Sequence, residues 1–190
     1  MIDDLYQGPM MTYPNEEGLV SFIFTESELI QFINLLTTAL NNLTKEKLSD
    51  ENILNYQLES DFGDISFDWL IISTDDQQTS RLHQKISLGL VDICKKSVLI
   101  GPIITCEFGW DEAILIGTKH QILGLIESLK NINKHTKKTK VCNETVAERL
   151  IENFPSADSE VKINRFLITN DEQQTSRIYY KLRSATSFEQ

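Results

Sequence analysis

The sequence has few of the residue clusters from which catalytic and cofactor-binding sites are built. Its 8 glycines are scattered along 190 residues, so neither the Gly-rich turn of a dinucleotide-binding fold nor a P-loop is present. No Cys-x-x-Cys, His-x-x-x-His or Asp-x-Asp spacing supplies a chelating set for a divalent cation. We therefore predict no metal, no cofactor and no enzymatic activity.

Long apolar runs and paired cysteines are also missing. No run approaches the roughly 20 apolar residues that cross a bilayer, and Met1-Ile2-Asp3-Asp4 is too acidic for a secretory signal. The 3 cysteines are odd in number and widely spaced, which argues against a disulfide framework. We expect a cytoplasmic protein that binds no membrane. The richness in Asn, Ile, Lys and Thr is typical of an AT-rich bacterial genome.

The chain does contain an internal repeat. The stretch Asp-Asp-Gln-Gln-Thr-Ser-Arg at residues 75–81 returns as Asp-Glu-Gln-Gln-Thr-Ser-Arg at residues 171–177, 96 positions later. Residues 8–12 and 101–105 also correspond, at an offset of 93. Self-similarity at a nearly fixed spacing indicates two copies of one structural unit, so we predict a tandem duplication.

The duplication divides the chain into residues 1–97 (the first half) and residues 98–190 (the second half), which we expect to form one compact unit. The offset grows from 93 to 96, so the second copy carries three additional residues. We place them in the Lys-rich segment 134–140, which we interpret as a solvated loop and not as a phosphate-binding patch, because no aromatic residues are interleaved with the lysines.

Each copy is predicted to begin with a β-hairpin followed by a helix. Thr25 with Glu28, and Thr118 with Gln121, have the spacing of a capping box. Apolar residues then recur at helical spacing after both threonines. These two helices should pack their apolar faces against a sheet.

A short helix, a buried strand and a final helix complete each copy. We expect the short helices at residues 49–58 and 143–154, and the strands at residues 65–74 and 161–170, where apolar residues are consecutive. The final helices begin at the repeated motif. The predicted fold class is α+β: two tandem ββα(α)βα repeats forming one pseudo-twofold globule, with helices packed on an antiparallel or mixed sheet.

The net charge of −10 belongs to the first half alone. Residues 1–97 contain 6 Lys or Arg and 16 Asp or Glu, whereas residues 98–190 contain 12 of each. Because both halves share a plan, the fold does not require this acidity. An acidic surface repels nucleic acid and anionic membranes and attracts basic partners. Simple solubility is the alternative explanation.

The repeated motif has two interpretations. It could bind a ligand at the first turn of a helix, or it could cap the helix while Arg81 or Arg177 pairs with an acidic residue of a neighbouring turn; we favour the cap. Ser80 and His83 are three residues apart and could form a nucleophile and base. The second copy has Tyr179 in place of His83, so we predict no hydrolase site.

Two stretches mix acidic and aromatic residues and are the candidate partner-binding surface. Trp69 aligns with Arg165, and an Arg is rarely buried unpaired, so we expect this position to face solvent; an edge strand with a half-buried Trp69 is the alternative. Exposed aromatic residues among carboxylates suit a protein interface. The predicted partner-binding residues are Glu59, Asp61, Asp64, Asp68, Trp69, Asp75, Asp76, Phe108, Trp110 and Asp111.

These observations favour a non-catalytic protein that binds a basic protein. The most specific version is an inhibitor or immunity protein that neutralises a basic, nuclease-like bacterial toxin, whose phosphate-binding site must be positively charged. A small enzyme with a cleft between the two halves, or a self-assembling scaffold component that uses a sheet edge, are the alternatives. We expect a monomer or weak dimer with no nucleic-acid partner.

Overall fold

The computed structural model of the chain describes residues 5, 10–11, 19–48, 50–58, 66–88, 98, 100–106, 112–150 and 162–186. Within these ranges it is an α+β protein, as predicted, with four helices and two mixed sheets. None of these helices is both long and apolar enough to cross a membrane. The elements in chain order are β1 (Met10–Met11), β2 (Leu19–Thr25), α1 (Glu26–Asn41), β3 (Thr44–Leu48), β4 (Glu51–Gln57), β5 (Ser66–Ser73), α2 (Asp76–Leu88), β6 (Ile103–Cys106), β7 (Glu112–Thr118), α3 (Lys119–Asn131), a 3₁₀ turn (Ile132–Lys134), β8 (Lys137–Val141), β9 (Glu144–Leu150), β10 (Lys162–Thr169) and α4 (Glu172–Thr186).

Both halves of the chain contribute strands to each sheet. Sheet A has the order β1-β2-β10-β9-β8, and sheet B has the order β6-β7-β5-β4-β3. The pairs β2–β10 and β5–β7 are parallel, and the remaining neighbours are antiparallel. Each parallel pair joins a strand of residues 1–97 to one of residues 98–190, so neither half forms a separate sheet.

The short helices predicted at residues 49–58 and 143–154 are wrong, because residues 51–57 form β4 and residues 144–150 form β9; residues 151–154 lie outside the described part of the chain. Burial along β4 alternates: Ile53 and Asn55 are buried, whereas Leu54 is 39% exposed. Leu150 of β9 is 57% exposed, so it does not belong to an apolar helix face. The spacing of a few leucines resembled a helical stripe, but the alternating burial is that of a strand.

The predicted loops before β4 and β9 are also strands. Residues 44–48 form β3 and residues 137–141 form β8, each an edge strand paired antiparallel with the next strand. Cys142 and Asn143 connect β8 to β9 with φ of 50° and 69°. Two consecutive residues with positive φ form the type I′ turn that favours tight hairpins, and this geometry explains why a Lys-rich segment turns back sharply.

The change of offset from 93 to 96 does not lie in the segment 134–140, where three additional residues were predicted. Thr44–Leu48 and Lys137–Val141 begin 93 positions apart, whereas Ser66–Ser73 and Lys162–Thr169 begin 96 positions apart. The change of offset therefore occurs between β9 and β10, in residues 151–161, which lie outside the described part of the chain.

The main core lies between the two sheets, with α1 and α3 in the same layer. Phe22 of sheet A and Phe67 of sheet B stack with ring centroids 6.1 Å apart, and Phe32 of α1 is 5.3 Å from Phe67. All three rings are at most 3% exposed. Burial of each such side chain contributes about 1.5–3 kcal/mol, so these rings join sheets and helix into one unit.

The helices α2 and α4 cover the outer faces of the sheets. Leu82 of α2 packs against Ile71 on the outer face of sheet B, and Tyr179 of α4 packs against Leu167 on the outer face of sheet A. The layers therefore run α4, sheet A, α1 with α3, sheet B, α2. Each outer helix begins at the repeated motif, which places both copies of the motif at a sheet end.

The helices of the central layer begin as predicted. Glu28 donates its N–H to Thr25 Oγ1, and its carboxylate accepts from the Thr25 N–H (2.6 Å). Thr118 and Gln121 form the same capping box at the start of α3. A capping box satisfies two amides that the helix leaves without partners.

Candidate functional site

The first copy of the repeated motif forms the first turn of α2 and holds it against the β3–β4 hairpin. Asp75 Oδ1 accepts from the Gln78 N–H (2.7 Å), and Gln78 Oε1 accepts from the Thr74 N–H (2.7 Å). Gln78 Nε2 then donates to Glu51 Oε2 (2.9 Å). Arg81 Nε and Nη2 donate to the same carboxylate (2.7 and 3.2 Å). The motif therefore caps the helix and clamps Glu51 at the start of β4.

The second copy makes the corresponding contacts at the start of α4. Asp171 Oδ1 accepts from the Gln174 N–H (2.7 Å), and Gln174 Oε1 accepts from the Asn170 N–H (2.9 Å). Arg177 Nε and Nη2 each donate to the Glu144 carboxylate at 3.0 Å. The clamped glutamate again begins the strand after a hairpin turn, so the two motifs, which differ at one of seven positions, perform the same structural task.

Both clamped carboxylates are held in their charged form. The hydrogen bond from Arg81 is the main cause that lowers the pKa of Glu51, and burial opposes it. Arg177 lowers the pKa of Glu144 in the same way. The pKa values of Arg81 and Arg177 are raised by these partners. Each pair therefore stays ionised through the neutral range.

The hydroxyl groups of the motif are also engaged within the chain. Thr79 Oγ1 and Ser73 Oγ lie 2.5 Å apart in a buried pair, and Thr175 Oγ1 and Thr169 Oγ1 lie 2.6 Å apart in the other copy. Ser80 Oγ donates to the Asp76 backbone carbonyl one turn earlier (2.8 Å). These bonds agree with the helix-cap interpretation and leave few groups of the motif for a ligand.

The predicted partner-binding residues fall into separate places. Asp75 is exposed at the start of α2, and Asp76 Oδ1 accepts from Gln121 Nε2 (2.6 Å), which joins the N-termini of α2 and α3. Asp68 lies at the β-bulge between Phe67 and Trp69. Outside the described residues lie Glu59, Asp61, Asp64, Phe108, Trp110 and Asp111.

The two described groups are not adjacent. Trp69 and Ser73 are four residues apart on β5, which is about 13 Å at the rise of a strand, and Asp75 lies beyond Ser73. The structure therefore brings Asp68 and Trp69 together on one part of sheet B and puts Asp75 and Asp76 at its end.

Trp69 lines a groove on the outer face of sheet B, beside the C-terminal part of α2. The cavity measures about 250 Å³. Trp69 is half-buried and packs against the apolar cluster beneath α2, so the expectation that it simply faces solvent is wrong. Its strand, β5, is the central strand of sheet B and not an edge strand. The groove, which we call the Trp69 groove, is lined by Glu46, Leu48, Asn55, Trp69, Ile71, Ile86 and Ile114.

One polar wall interrupts the apolar lining of the Trp69 groove. Asn55 Nδ2 donates to Glu46 Oε2 (2.8 Å), and Asn55 Oδ1 accepts from Thr44 Oγ1 (3.1 Å). Asn55 is buried and Glu46 is exposed. Because the donor is neutral, Glu46 keeps its negative charge at the rim while Asn55 fixes its orientation.

The corresponding place on sheet A carries different residues. On sheet B, Asn55 pairs with Ile71, which lies two positions after Trp69. On sheet A, Glu148 pairs with Leu167, which lies two positions after Arg165. Arg165 Nε there donates to Glu148 Oε1, and the two form an ion pair. An ion pair thus occupies the place where sheet B has an indole and an amide.

A larger cleft of about 670 Å³ opens at the end of sheet A where β2 and β10 stop, between the first turns of α1 and α4. It combines Thr25, Glu26 and Ser27 of the first half with residues of the second half, including Lys138 and Glu172. The strands β2 and β10 are parallel and end here, and crevices at the carboxyl ends of parallel strands commonly bind ligands. The described lining contains no His or Cys side chain.

The sequence analysis missed most residues of the Trp69 groove. From the sequence, residues 44–50 are predicted as a charged loop, Ile86 as part of the helix that begins at the motif, and Ile114 as part of a hairpin strand. The alternation along Lys45, Glu46, Lys47 and Leu48, in which every second residue faces α2, is the signal that predicts an edge strand here. Nothing local to Ile114 indicates that it shares a cavity with Trp69, because the parallel pairing of β5 with β7 is long-range.

Within the described residues, no group of three or more His, Cys, Asp or Glu side chains is placed to hold a metal ion. Comparison of the chain with protein-family models, with curated proteins and with solved structures gives no match.

Proposed function

We propose that this chain is a non-catalytic binding protein for a basic protein, and in its most specific form an inhibitor or immunity protein that neutralises a nuclease-like bacterial toxin. The observation that carries the proposal is the Trp69 groove with Glu46 at its rim. Aromatic anchors in partly buried pockets supply much of the energy of protein interfaces, and charged rims set the rate of encounter.

The charge of the surrounding half supports a cationic partner. The described part of residues 1–97 carries eight carboxylates against four cationic side chains. Several of these carboxylates form hydrogen bonds within the chain, but the donors at Glu46, Asp75 and Asp76 include neutral amides, which leave the negative charge in place. A nuclease site is cationic because it binds phosphates, so an acidic surface can compete for it.

The difference between the two sheets supports a function located on sheet B. We propose that the halves are two copies of one unit related by a pseudo-twofold axis, with residues 1–97 and 98–190 as the copies. On this view the two copies have different residues at the same place of the shared unit. The second copy has the ion pair of Arg165 with Glu148, and the first copy has Trp69 with Asn55. A position that tolerates an ion pair does not need an indole for folding, so Trp69 suits a role in binding.

The same proposal places the protein in the cytoplasm as a monomer or weak dimer, with neither nucleic acid nor membrane as a partner. The edge strands β3 and β8 carry exposed lysines, among them Lys45, Lys47, Lys137 and Lys138. Charged side chains on edge strands discourage pairing with a second sheet, which disfavours the scaffold alternative.

The test is the salt dependence of the complex with a purified basic protein from the native host. The dissociation constant should rise steeply between low and about 0.5 M salt, because screening weakens contacts between exposed charges. Glu46→Gln should weaken the complex, whereas Glu127→Gln, an exposed carboxylate of α3 in the second half, should not. An affinity that salt and both substitutions leave unchanged would contradict the proposal.

A second candidate is a small enzyme or ligand-binding protein that uses the cleft between the first turns of α1 and α4. The specific observation in its favour is that residues of both halves line this cleft. Ala147→Leu, which would fill the cleft, should abolish any such activity and leave binding at the Trp69 groove intact. An activity that Ala147→Leu leaves unchanged would contradict this second candidate.

A further inference from the structure

We propose that the Trp69 groove receives one large apolar side chain from the partner, and that Glu46 binds an Arg or Lys next to that side chain in the partner's sequence. The inference rests on the proposed function and defines the chemistry of its contact. The expected occupant of the groove is a basic segment with an apolar anchor. A second copy of this chain is not expected there, because its first half would bring the same acidic surface to the groove.

The size of the cavity supports a single anchor. A volume of about 250 Å³ is close to that of one Phe, Met or Leu side chain with some clearance, and is too small for a folded element. The walls come from β3, β4, β5, β7 and α2, so an inserted side chain would contact apolar groups on several sides. Burial of such a side chain contributes about 1.5–3 kcal/mol.

The polar wall determines the orientation in which the anchor segment binds in the groove. Asn55 uses its amide nitrogen on Glu46 and its amide oxygen on Thr44, so it needs no partner from outside. Glu46 accepts from Asn55 through Oε2, and its charge lies at the rim beside the apolar lining. A cation one residue away from the anchor would meet this carboxylate, and hydrogen bonds to a charged group are the stronger class.

The geometry also separates this groove from the repeated clamp. Glu51 belongs to the same hairpin as Glu46, but Arg81 and Lys85 neutralise it. Glu46 lies on the preceding strand, two residues before Leu48. Both carboxylates are ionised, but cations compensate the charge of Glu51, whereas Glu46 beside the cavity accepts from a neutral amide, which is the complementarity that a basic, apolar segment requires.

The test uses a defined peptide in place of the unidentified partner. The probe is acetyl-Gly-Arg-Phe-Arg-Gly-amide, with one twin in which Gly replaces Phe and one in which Glu replaces both Arg. The ¹⁵N signal of the Trp69 indole and the methyl signals of Ile71, Ile86 and Ile114 are followed by NMR in the full chain. We expect saturable shifts at these groups with the probe, and binding weaker by about tenfold or more with the Gly twin.

Two variants provide the matched controls. Glu46→Gln changes an exposed residue. It should lower the affinity for the probe several-fold and make the affinities for the Arg and Glu peptides equal. The triple exchange of Glu46→Thr, Asn55→Glu and Trp69→Arg installs the residues that sheet A has at Thr139, Glu148 and Arg165, and should abolish the shifts at Ile71 and Ile86 while far-UV circular dichroism stays unchanged.

The outcomes distinguish the inference from the proposed function. Equal shifts with all three peptides, or shifts located away from the groove, would overturn the inference. If the peptides fail but the purified host protein still binds in a salt-dependent way, the anchor contact is wrong and the proposed function stands. If the probe binds in the groove but no basic host protein does, the contact is right and the proposed function fails.

Discussion

The repeated Gln-Gln pair offers a test within one motif, since its two glutamines have opposite environments. Gln78 is 6% exposed and bonds to the Thr74 N–H, to Glu51 and to the Asn52 carbonyl. Gln77, its neighbour, is exposed. Gln78→Ala therefore removes the bond to the Thr74 N–H and the amide part of the clamp on Glu51, which Arg81 still holds, whereas Gln77→Ala removes only an exposed side chain.

The magnitude follows from the bonds that are lost. The bond from the Thr74 N–H is a neutral one, worth about 1 kcal/mol, and the bond to the charged Glu51 is worth about 1.5–3 kcal/mol. The long bond to the Asn52 carbonyl (3.3 Å) adds little. We expect Gln78→Ala to lower the free energy of unfolding by about 2–3 kcal/mol, and Gln77→Ala by less than about 0.5 kcal/mol.

Urea denaturation measures the loss of unfolding free energy as a shift of the denaturation midpoint, with the dependence of that free energy on urea concentration unchanged. Gln174→Ala and Gln173→Ala repeat the experiment in the second copy, where Gln174 bonds to the Asn170 N–H and to the Thr145 carbonyl. The double variant Gln78→Ala with Gln174→Ala should be additive, because the two clamps share no partner. Equal losses for Gln77→Ala and Gln78→Ala would refute the reasoning.

Three further predictions follow from other contacts. The lowered pKa values of Glu51 and Glu144 stabilise the fold fully above pH 4.5, their ordinary pKa, and this contribution is lost as pH falls through the lowered values; the double variant Glu51→Gln with Glu144→Gln should be less stable at neutral pH and less sensitive to acid in pH-dependent urea titrations. Thr175→Val leaves the buried Thr169 hydroxyl without its partner and should cost about 1–3 kcal/mol in unfolding free energy. Phe67→Ala should cost about 3–5 kcal/mol by differential scanning calorimetry, because the ring is fully buried between the sheets.

Each of these has a matched control. Asp50→Asn removes an exposed partner of Lys47 and should leave the acid profile unchanged. Thr38→Val changes an exposed Thr of α1 and should cost less than about 0.5 kcal/mol. Ile30→Ala deletes a side chain that is 51% exposed and should have a small effect. An acid profile of the double variant identical to that of the native chain, or controls as destabilising as the buried substitutions, would contradict these predictions.

Local signals in the sequence predicted the local structure. The capping boxes at Thr25 and Thr118 involve residues three positions apart, so the spacing alone defines them, and they are present. The starts of α2 and α4 at the repeated motif were likewise predicted, but the side chains that accept from the first turn are those of Asp75 and Asp171. The partner of Arg81 was not predicted: it is Glu51, 30 positions upstream, whereas an acid of a neighbouring turn was expected. Only the folded hairpin brings them together.

The segments predicted as short helices show where periodicity misleads. In a strand of seven residues, two leucines four positions apart fit a helix and a strand equally well, and the tertiary pairing of β4 with β5 decides. The inference that Trp69 faces solvent failed for a similar reason. Arg165, the aligned residue, is itself half-buried and paired with Glu148, so the presence of an Arg did not indicate an exposed position.

The central claim is that a basic protein contacts the Trp69 groove, and site-specific photo-crosslinking tests it most directly. Ile86→p-benzoylphenylalanine places the probe in the groove, and Leu182→p-benzoylphenylalanine places it at the aligned position on α4. In native-host extract, position 86 should crosslink to a basic protein, the product should disappear near 0.5 M salt, and position 182 should give none. The same products at both positions, or an acidic protein captured independently of salt, would contradict the claim.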